Sequence, residues 1–475
     1  MKFNSKNVNL IFFGMIVLLV IVGAAFRSNP DTDAFFLIQT GEYIVKTMSV
    51  PTVNLWTMHE GLNMIVQQWL CCVLNYGAYH IAGYSGLIAL SIIQSCILAV
   101  CFYVYARLFS IDRSNAFLKA SFLWLFTYVY TTSRPYLGTI TISVLILYCL
   151  EKLKRTENIK YGIFVSLLVI LQANWQVSMI ILPILFLITH TLGAIAEHKD
   201  DLSLKMSVTM TLSFGAVFIN PYGINGVMYL FKGYNRNLSK IAEMQAPVVG
   251  GKYGTIIIIA ILVLCYRMYI YKRDKVAFDP VHALLLAGGI GMAIMNIRSM
   301  WMILPGIIPL LPDIIKPKER TSNPLTFASL FLSICVVIVG SILVIGNGKE
   351  AHAKTLEALT HPNITAYLTE NVPIGTEMYA VFHDSQYYQF LGYKTYIDGR
   401  AEIYTKSING KFDYWDEYCN INFAEDLDVD GFIDKYKFEY MEVNDNSYLG
   451  IYMRTCGDYE VVARDGLTSL WKRKE

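Results

Sequence analysis

Apolar residues dominate this chain in long runs, and short polar clusters recur between them. Runs of this length read as helices that cross a bilayer rather than as core helices of a soluble domain. The first spans residues 8–26, just after Lys2 and Lys6. Further apolar spans are predicted at about 85–108, 116–131, 137–150, 161–171, 178–195, 206–218, 255–266, 281–293, 302–315 and 325–345. Residues 66–84, which contain Trp69-Leu70-Cys71-Cys72-Val73-Leu74, fit either another span or an amphipathic helix lying on the membrane surface.

Loop charge separates these alternatives. If residues 66–84 lie on the surface, five basic loops become cytoplasmic: Arg107 and Arg113; Lys152, Lys154, Arg155 and Lys160; Lys199 and Lys205; Arg267, Lys272, Arg273 and Lys275; Lys316, Lys318 and Arg320. Making the segment a span reverses all of them, against the preference of lysine and arginine for the inner face. The pattern therefore predicts about eleven spans, an N-terminus inside and a C-terminal tail outside. The first run is long and is followed by Arg27-Ser28-Asn29, a poor cleavage pattern, so it reads as an uncleaved anchor.

Composition agrees with the pattern. Of 475 residues, 55% are hydrophobic and only 16% charged, whereas a soluble domain carries about 25% charged residues. The net charge is +2, and no basic tract of the kind nucleic acid needs is present. Most of the nine cysteines lie in apolar runs and read as small hydrophobes. Cys419 and Cys456 lie in the polar tail, and their pairing is left open.

The composition turns polar after residue 346, and residues 350–475 are long enough for one small domain. Within it, 378–382 and 394–397 read as strands, 385–391 as a helix, and 432–436 as a helix leading into a strand at 438–443. Residues 460–463 and 469–472 bracket the turn Arg464-Asp465-Gly466. The prediction is an α-helical polytopic membrane protein with a small C-terminal α/β extracytoplasmic domain. Residues 1–346 form the transmembrane part, including a first outer loop with surface helices at 27–84, and residues 350–475 form the soluble part.

With this topology the outer loops collect the polar chemistry. Asp31 and Asp33 come first, one residue apart and followed by aromatics. Such a pair can ligate a divalent cation such as Mg2+ or Mn2+, or act as a general base on a hydroxyl; either residue can also cap a helix. Then come Ser133-Arg134-Pro135-Tyr136, Asn174 and Gln176, Asn220-Pro221-Tyr222-Gly223, Ile241-Ala242-Glu243, and Asn296-Ile297-Arg298. Polar groups at the ends of spans tend to face the bundle or a wet cavity.

The loop 220–252 carries Lys232, Arg236, Lys240 and Lys252 outside, against the charge preference. These side chains can touch anionic headgroups or clamp the phosphate of a lipid-linked donor, with Arg134 and Arg298 as deeper, forked phosphate binders. In the tail, Asp398-Gly399-Arg400 with Glu402 and Tyr404 follows a predicted strand, where α/β proteins place ligand loops; an Asp–Arg pair holding a turn is the simpler reading. His383-Asp384 reads as a base with its orienter or as surface polarity. No Gly-rich phosphate loop, CxxC pair or HExxH is present.

The stretches Asp31-Thr32-Asp33, Thr40-Gly41-Glu42-Tyr43-Ile44, Ser49-Val50-Pro51-Thr52, Gln68-Trp69-Leu70 and Ala82-Gly83-Tyr84-Ser85-Gly86-Leu87 resemble the first outer loop of bacterial membrane proteins related to the GT-C glycosyltransferases. Ser133-Arg134-Pro135, Ala173-Asn174, Asn220-Pro221-Tyr222-Gly223, Ile241-Ala242-Glu243, Arg298 and Ile397-Asp398-Gly399-Arg400-Ala401-Glu402-Ile403-Tyr404 are similar too. The resemblance implies a multispan core, an acidic motif in a large first outer loop and polyprenyl-phosphate-linked sugar donors. Relatives often carry histidine where this chain has Leu37, Gln67, Tyr136 and Gln176, and an acidic residue where it has Gln68.

Two functions follow. In one, a plasma-membrane glycosyltransferase moves a sugar from a polyprenyl-phosphate donor to an envelope glycan or protein acceptor on the outer face. Asp33 would be the base, Asp31 or Glu243 its helper or a metal ligand, and Arg134, Lys240 and Arg298 would hold the departing phosphate, with Asn174, Gln176, Asn220 and Tyr222 as further substrate contacts. In the other, the chain is a non-catalytic scaffold or a lipid or glycan transport component that keeps the fold without the chemistry.

Overall fold

The computed structural model describes residues 14–15, 17–18, 20–23, 32–127, 130–232, 241–274, 279–313, 359–423 and 428–474, the side chains of 230, 232 and 242 excepted. Most of the predicted span 8–26, all of 325–345, and Asp31, Arg236 and Lys240 lie outside these residues. The chain forms two compact units. One comprises Met1–Ser28, Ile88–Val227 and Ile241–Lys349, and the other Asn29–Leu87, Met228–Lys240 and Glu350–Glu475. The units divide the chain differently from the hydrophobic pattern, because the first loop shares a unit with the tail.

In the first unit the predicted spans appear as helices at Arg113–Thr127, Tyr136–Thr156, Lys160–Trp175, Ile181–Ala196, Asp200–Ala216, Lys252–Asp274 and Pro280–Met295. Among the described residues, four stretches are long and apolar enough to cross a membrane: Trp69–Phe109, Tyr136–Thr156, Val177–Ala196 and Lys252–Asp274. Pro280–Met295 and Ile297–Leu310 are apolar but shorter. Helices approach closely where a side chain is missing. A Cβ at Gly138 would stand 2.2 Å from the Trp175 ring, and Trp175 Nε1 donates to the Pro135 carbonyl at 2.8 Å. A glycine at that crossing therefore lets an indole seal two helices, as small residues do in membrane bundles.

Within Trp69–Ala106 the helix breaks at Ala82 (φ −145, ψ 20) and Gly83 (φ 58, ψ −141). Glycine takes that left-handed geometry without the penalty a side chain would impose. The break separates residues 66–81 from the span that follows. The uniformly apolar sequence on both sides explains why periodicity alone could not draw the boundary.

The second unit is built on a five-stranded sheet: β1 Glu377–Tyr379, β2 Lys394–Thr395, β3 Tyr440–Asn444, β4 Tyr459–Asp465 and β5 Thr468–Arg473. The order is β2-β1-β3-β5-β4, with β1 parallel to β2 and β3 and the remaining pairs antiparallel. Gly466, at φ +58, turns the β4–β5 hairpin. The helices Pro362–Asn371, Tyr414–Phe423 and Tyr448–Met453 were not predicted.

The first loop completes this unit. Met58 N donates to the Thr395 carbonyl at 3.1 Å, and Thr57 bridges Thr395 in parallel, so residues 57–58 cover the exposed edge at β2. The helix Asp33–Thr47 inserts Phe35 into the core formed by Ile364, Leu368, Met378, Tyr388, Tyr440 and Leu470. Gly41 lies against the helix that begins at Trp69: a Cβ there would be 2.1 Å from the Cys72 carbonyl oxygen.

His59 is buried in an aromatic nest and stacks on Tyr414 at 3.8 Å between centroids. Burial lowers its pKa from 6.5 to about 4. The unfolded chain accepts a proton near pH 6.5, whereas the folded one resists until about pH 4. Stability is therefore complete above 6.5 and lost as pH falls through that window, by roughly 3 kcal/mol at about 1.4 kcal/mol per unit. The thermal midpoint of the detergent-solubilised chain, minus that of His59→Gln, should shrink steadily from pH 6.5 to 4; a pH-independent difference would contradict the assignment.

Candidate functional site

Asp33 opens the helix Asp33–Thr47, whose N-cap is Thr32, so its carboxylate sits where the helix dipole favours negative charge. Gln386 Nε2 donates to Asp33 Oδ1 at 2.9 Å. Gln386 is fully buried on the tail helix Ser385–Phe390. It fits because residue 399 is glycine: a Cβ there would meet the Gln386 amide at 2.0 Å. The tail thus orients the first-loop carboxylate through a neutral amide.

The Asp398-Gly399-Arg400 motif lies next to this contact. Arg400 Nη2 meets Asp398 Oδ2 at 2.5 Å, and the Arg400 amide and Nε both reach Oδ1 at 2.9 Å. Tyr404 Oη donates to the same carboxylate at 2.7 Å and Gln389 Nε2 at 3.1 Å. Arg400 also donates to Asn54 Oδ1 at 3.2 Å and to Met64 Sδ at 3.0 Å, and it stacks on Phe36 and Trp56. Burial pushes the Asp398 carboxyl up, but Arg400 and the Tyr404 hydroxyl override it and hold it below the ordinary carboxylate range. Glu402 accepts from Gln67 Nε2 at 2.9 Å. Beside them a crevice lined by Thr40, Met64, Gln67, Gln68, Arg400 and Glu402 encloses about 20 Å3, room for one water and too little for a sugar ring.

In the first unit, Arg134 Nη1 meets both oxygens of Glu243 at 3.2 Å. The Arg298 guanidinium lies over the Tyr136 ring at 5.9 Å. The Ile297 amide donates to the Gln245 carbonyl at 3.0 Å, which ties the Arg298 segment to the Glu243 loop. Arg134, Glu243 and Arg298, far apart in sequence, therefore lie on adjoining segments, with Tyr136 under the Arg298 guanidinium. The neighbouring polar residues play local parts. Asn174 Nδ2 donates to the Ile170 and Ile219 carbonyls at 2.8 and 2.7 Å, and Gln176 accepts from Thr139 Oγ1 at 2.7 Å. Asn220 closes its own turn, donating to the Val217 and Gly223 carbonyls and accepting from the Tyr222 amide.

A deeper ionic cluster joins the ends of three helices. His282 Nε2 lies 2.6 Å from Glu151 Oε1, and Lys154 Nζ lies 2.5 Å from both Glu197 and Asp279. Glu151, Asp279 and His282 could converge on an ion, but an ammonium and an imidazole already satisfy those carboxylates.

The sequence matches no protein-family model and no curated protein. Solved structures do match. The oligosaccharyltransferase of Archaeoglobus fulgidus in its apo form superposes with a TM-score of 0.58 at 10% identity, over 91% of this chain and 69% of that one. AglB from Archaeoglobus fulgidus, in complex with an inhibitory peptide and a dolichol-phosphate, gives 0.59 at 10% identity over 92% and 69%. ArnT from Cupriavidus metallidurans, bound to undecaprenyl phosphate, gives 0.58 at 10% identity over 98% of both chains. This chain has the GT-C fold.

Within the GT-C frame, sequence reasoning singled out Asp33 and the arginines but missed Gln386, Gln389 and Asn54. Gln386 and Gln389 stand three apart on one short helix, a spacing that puts both on the same face; their burial carried no signal in the sequence. Removing the guanidinium while leaving Asp398 buried should cost about 3–5 kcal/mol. Arg400→Met should accordingly lower the unfolding midpoint sharply, and the double variant Asp398→Leu/Arg400→Met should recover part of the loss. Equal losses in the two variants would show that the charge pair is not the cause.

Proposed function

We propose that this protein is a membrane glycosyltransferase that transfers a sugar from a polyprenyl-phosphate donor to an envelope acceptor on the outer face of the plasma membrane. The observation that carries the reading is that the Arg134 and Arg298 segments are joined through the Glu243 loop on a GT-C fold. AglB and ArnT, which share the fold, were solved with dolichol-phosphate and undecaprenyl phosphate, which supports a phosphate-bearing lipid as the donor. In the proposed step the acceptor oxygen attacks the anomeric carbon, Asp33 takes the hydroxyl proton, and the bond to the phosphate oxygen breaks. The departing phosphate is stabilised by Arg134, Arg298 and Lys240 and needs no proton.

Energetics favour exchange at Arg134. Its pair with Glu243 is partly exposed, with side chains 22% and 47% accessible, and such pairs contribute about 1 kcal/mol or less. A lipid phosphate making a charge-assisted bond worth about 1.5–3 kcal/mol would displace Glu243. The second reading, a non-catalytic scaffold, is favoured by the same pair, since Glu243 already neutralises Arg134.

The two readings separate in reconstituted liposomes supplied with a panel of radiolabelled polyprenyl-phosphate sugars. Asp33→Asn should abolish transfer while leaving lipid-phosphate binding intact, and Arg134→Ala should weaken that binding by roughly 10- to 100-fold. Wild-type protein that binds no polyprenyl phosphate would overturn the proposal; binding without transfer of any sugar would favour the scaffold.

A further inference from the structure

A third polar cluster serves neither Asp33 nor the arginines. His361 caps the helix Pro362–Asn371, Asp384 precedes the helix Ser385–Phe390 without its side chain capping it, and Glu442 lies within β3. One donor atom from each lies within 4.8 Å of the other two. His361 is 6% and Glu442 0% exposed. His361 Nε2 stands 3.3 Å from Asp384 Oδ2, yet it makes no hydrogen bond, and Glu442 Oε1 likewise has no partner. The other Glu442 oxygen accepts from the Val381 amide at 2.7 Å.

Among the described residues the charges do not balance. Among the described residues no lysine or arginine pairs with Asp384 or Glu442, in contrast to Asp398, which holds Arg400. Two carboxylates brought together in a dry site repel unless a cation or a proton stands between them. The backbone is shaped for the arrangement too. His361 adopts φ 40, ψ 71, a left-handed geometry that non-glycine residues hold only where the surroundings enforce it. Here the Thr365 amide, at 2.8 Å from the His361 carbonyl, fixes it.

The sheet supplies the location. β1 runs to β2 on one side and the next strand, β3, lies on its other side, so the carboxyl end of β1 is where the strand order reverses. Open parallel sheets bind ligands in the crevice at that point. Val381 and Asp384 follow β1 there, and Glu442 comes one residue beyond the Tyr379–Met441 register pair.

We propose that His361, Asp384 and Glu442 form a divalent-cation site in the tail domain. One imidazole nitrogen and two carboxylate oxygens make a donor set suited to zinc, with a remaining position open to water. The ion would lock the helix Pro362–Asn371 and the loop after β1 onto the central strand.

The test uses the full chain in detergent, stripped with a chelator and titrated with Zn2+ alone. Wild type should bind about one equivalent with submicromolar affinity, and its thermal midpoint should rise on binding. His361→Ala and Glu442→Gln should each weaken binding at least tenfold, whereas Asp33→Asn, which alters the first-loop carboxylate, should leave it unchanged. Because either tail variant could misfold, zinc-edge X-ray absorption of loaded wild type provides an independent reading, expected to show one nitrogen and carboxylate oxygens at about 2.0–2.2 Å. Absence of binding at micromolar Zn2+, retention of full affinity in His361→Ala, loss of it in Asp33→Asn, or a sulfur-containing shell would each overturn the site.

Discussion

A guanidinium and a carboxylate held out of water organise the second unit. Asp398 is fully buried and Arg400 nearly so, and a pair of this kind is not in itself a strong source of stability, because desolvating two charges offsets much of their attraction. Its force is selective. The donors of Arg400 are shared between Asp398 in the tail and Asn54 and Met64 in the first loop, so the charge is satisfied only when residues separated by about 340 positions come together. Any other docking would leave a buried ion short of partners, a penalty much larger than the net worth of the bond itself.

That constraint places the helix that follows from it. With residues 54–64 anchored, the helix Asp33–Thr47 lies on the tail, Phe35 enters the core at 4.8 Å from Tyr387, and Asp33 meets Gln386. Phenylalanine and glutamine do different work in this contact. The ring sets the position through buried area, and the amide sets the orientation of one carboxylate. Two more links run the same way, from Gln39 to the Gln389 carbonyl and from Lys411 to the Glu60 carbonyl.

The sequence showed the elements more clearly than their company. The hairpin around Arg464-Asp465-Gly466 was legible because its strands carry β-branched and aromatic residues and its turn needs glycine at positive φ. The helices at 137–150, 178–195 and 255–266 were legible because a bilayer demands apolar length. Three tail helices escaped, Pro362–Asn371 and two others, Tyr414–Phe423 and Tyr448–Met453, which are rich in aromatics that read equally as strand. The pair His383-Asp384 pointed to the wrong histidine. His383 is exposed, and Asp384 faces His361 instead, a partner that only the fold of the sheet could supply. Glu243, read as a helper base or a metal ligand, pairs with Arg134, 109 residues away, a partner the sequence did not show.

The carboxylates of this protein differ chiefly in what neutralises them, and that difference sorts structure from chemistry. Asp398 is matched by a guanidinium and Asp279 by an ammonium; such groups are committed to holding the fold, since a full counter-charge lowers both the basicity and the affinity for a further cation. Gln386 gives Asp33 a hydrogen bond from a neutral amide. An amide of this kind fixes the direction of a carboxylate without itself carrying a charge. At Asp384 and Glu442 the described residues supply an imidazole and no fixed cation, which sets this pair apart from Asp398. The same residue type thus meets a guanidinium at Asp398, a neutral amide at Asp33 and an imidazole at Asp384, and each partner sets how firmly the carboxylate is committed to the fold.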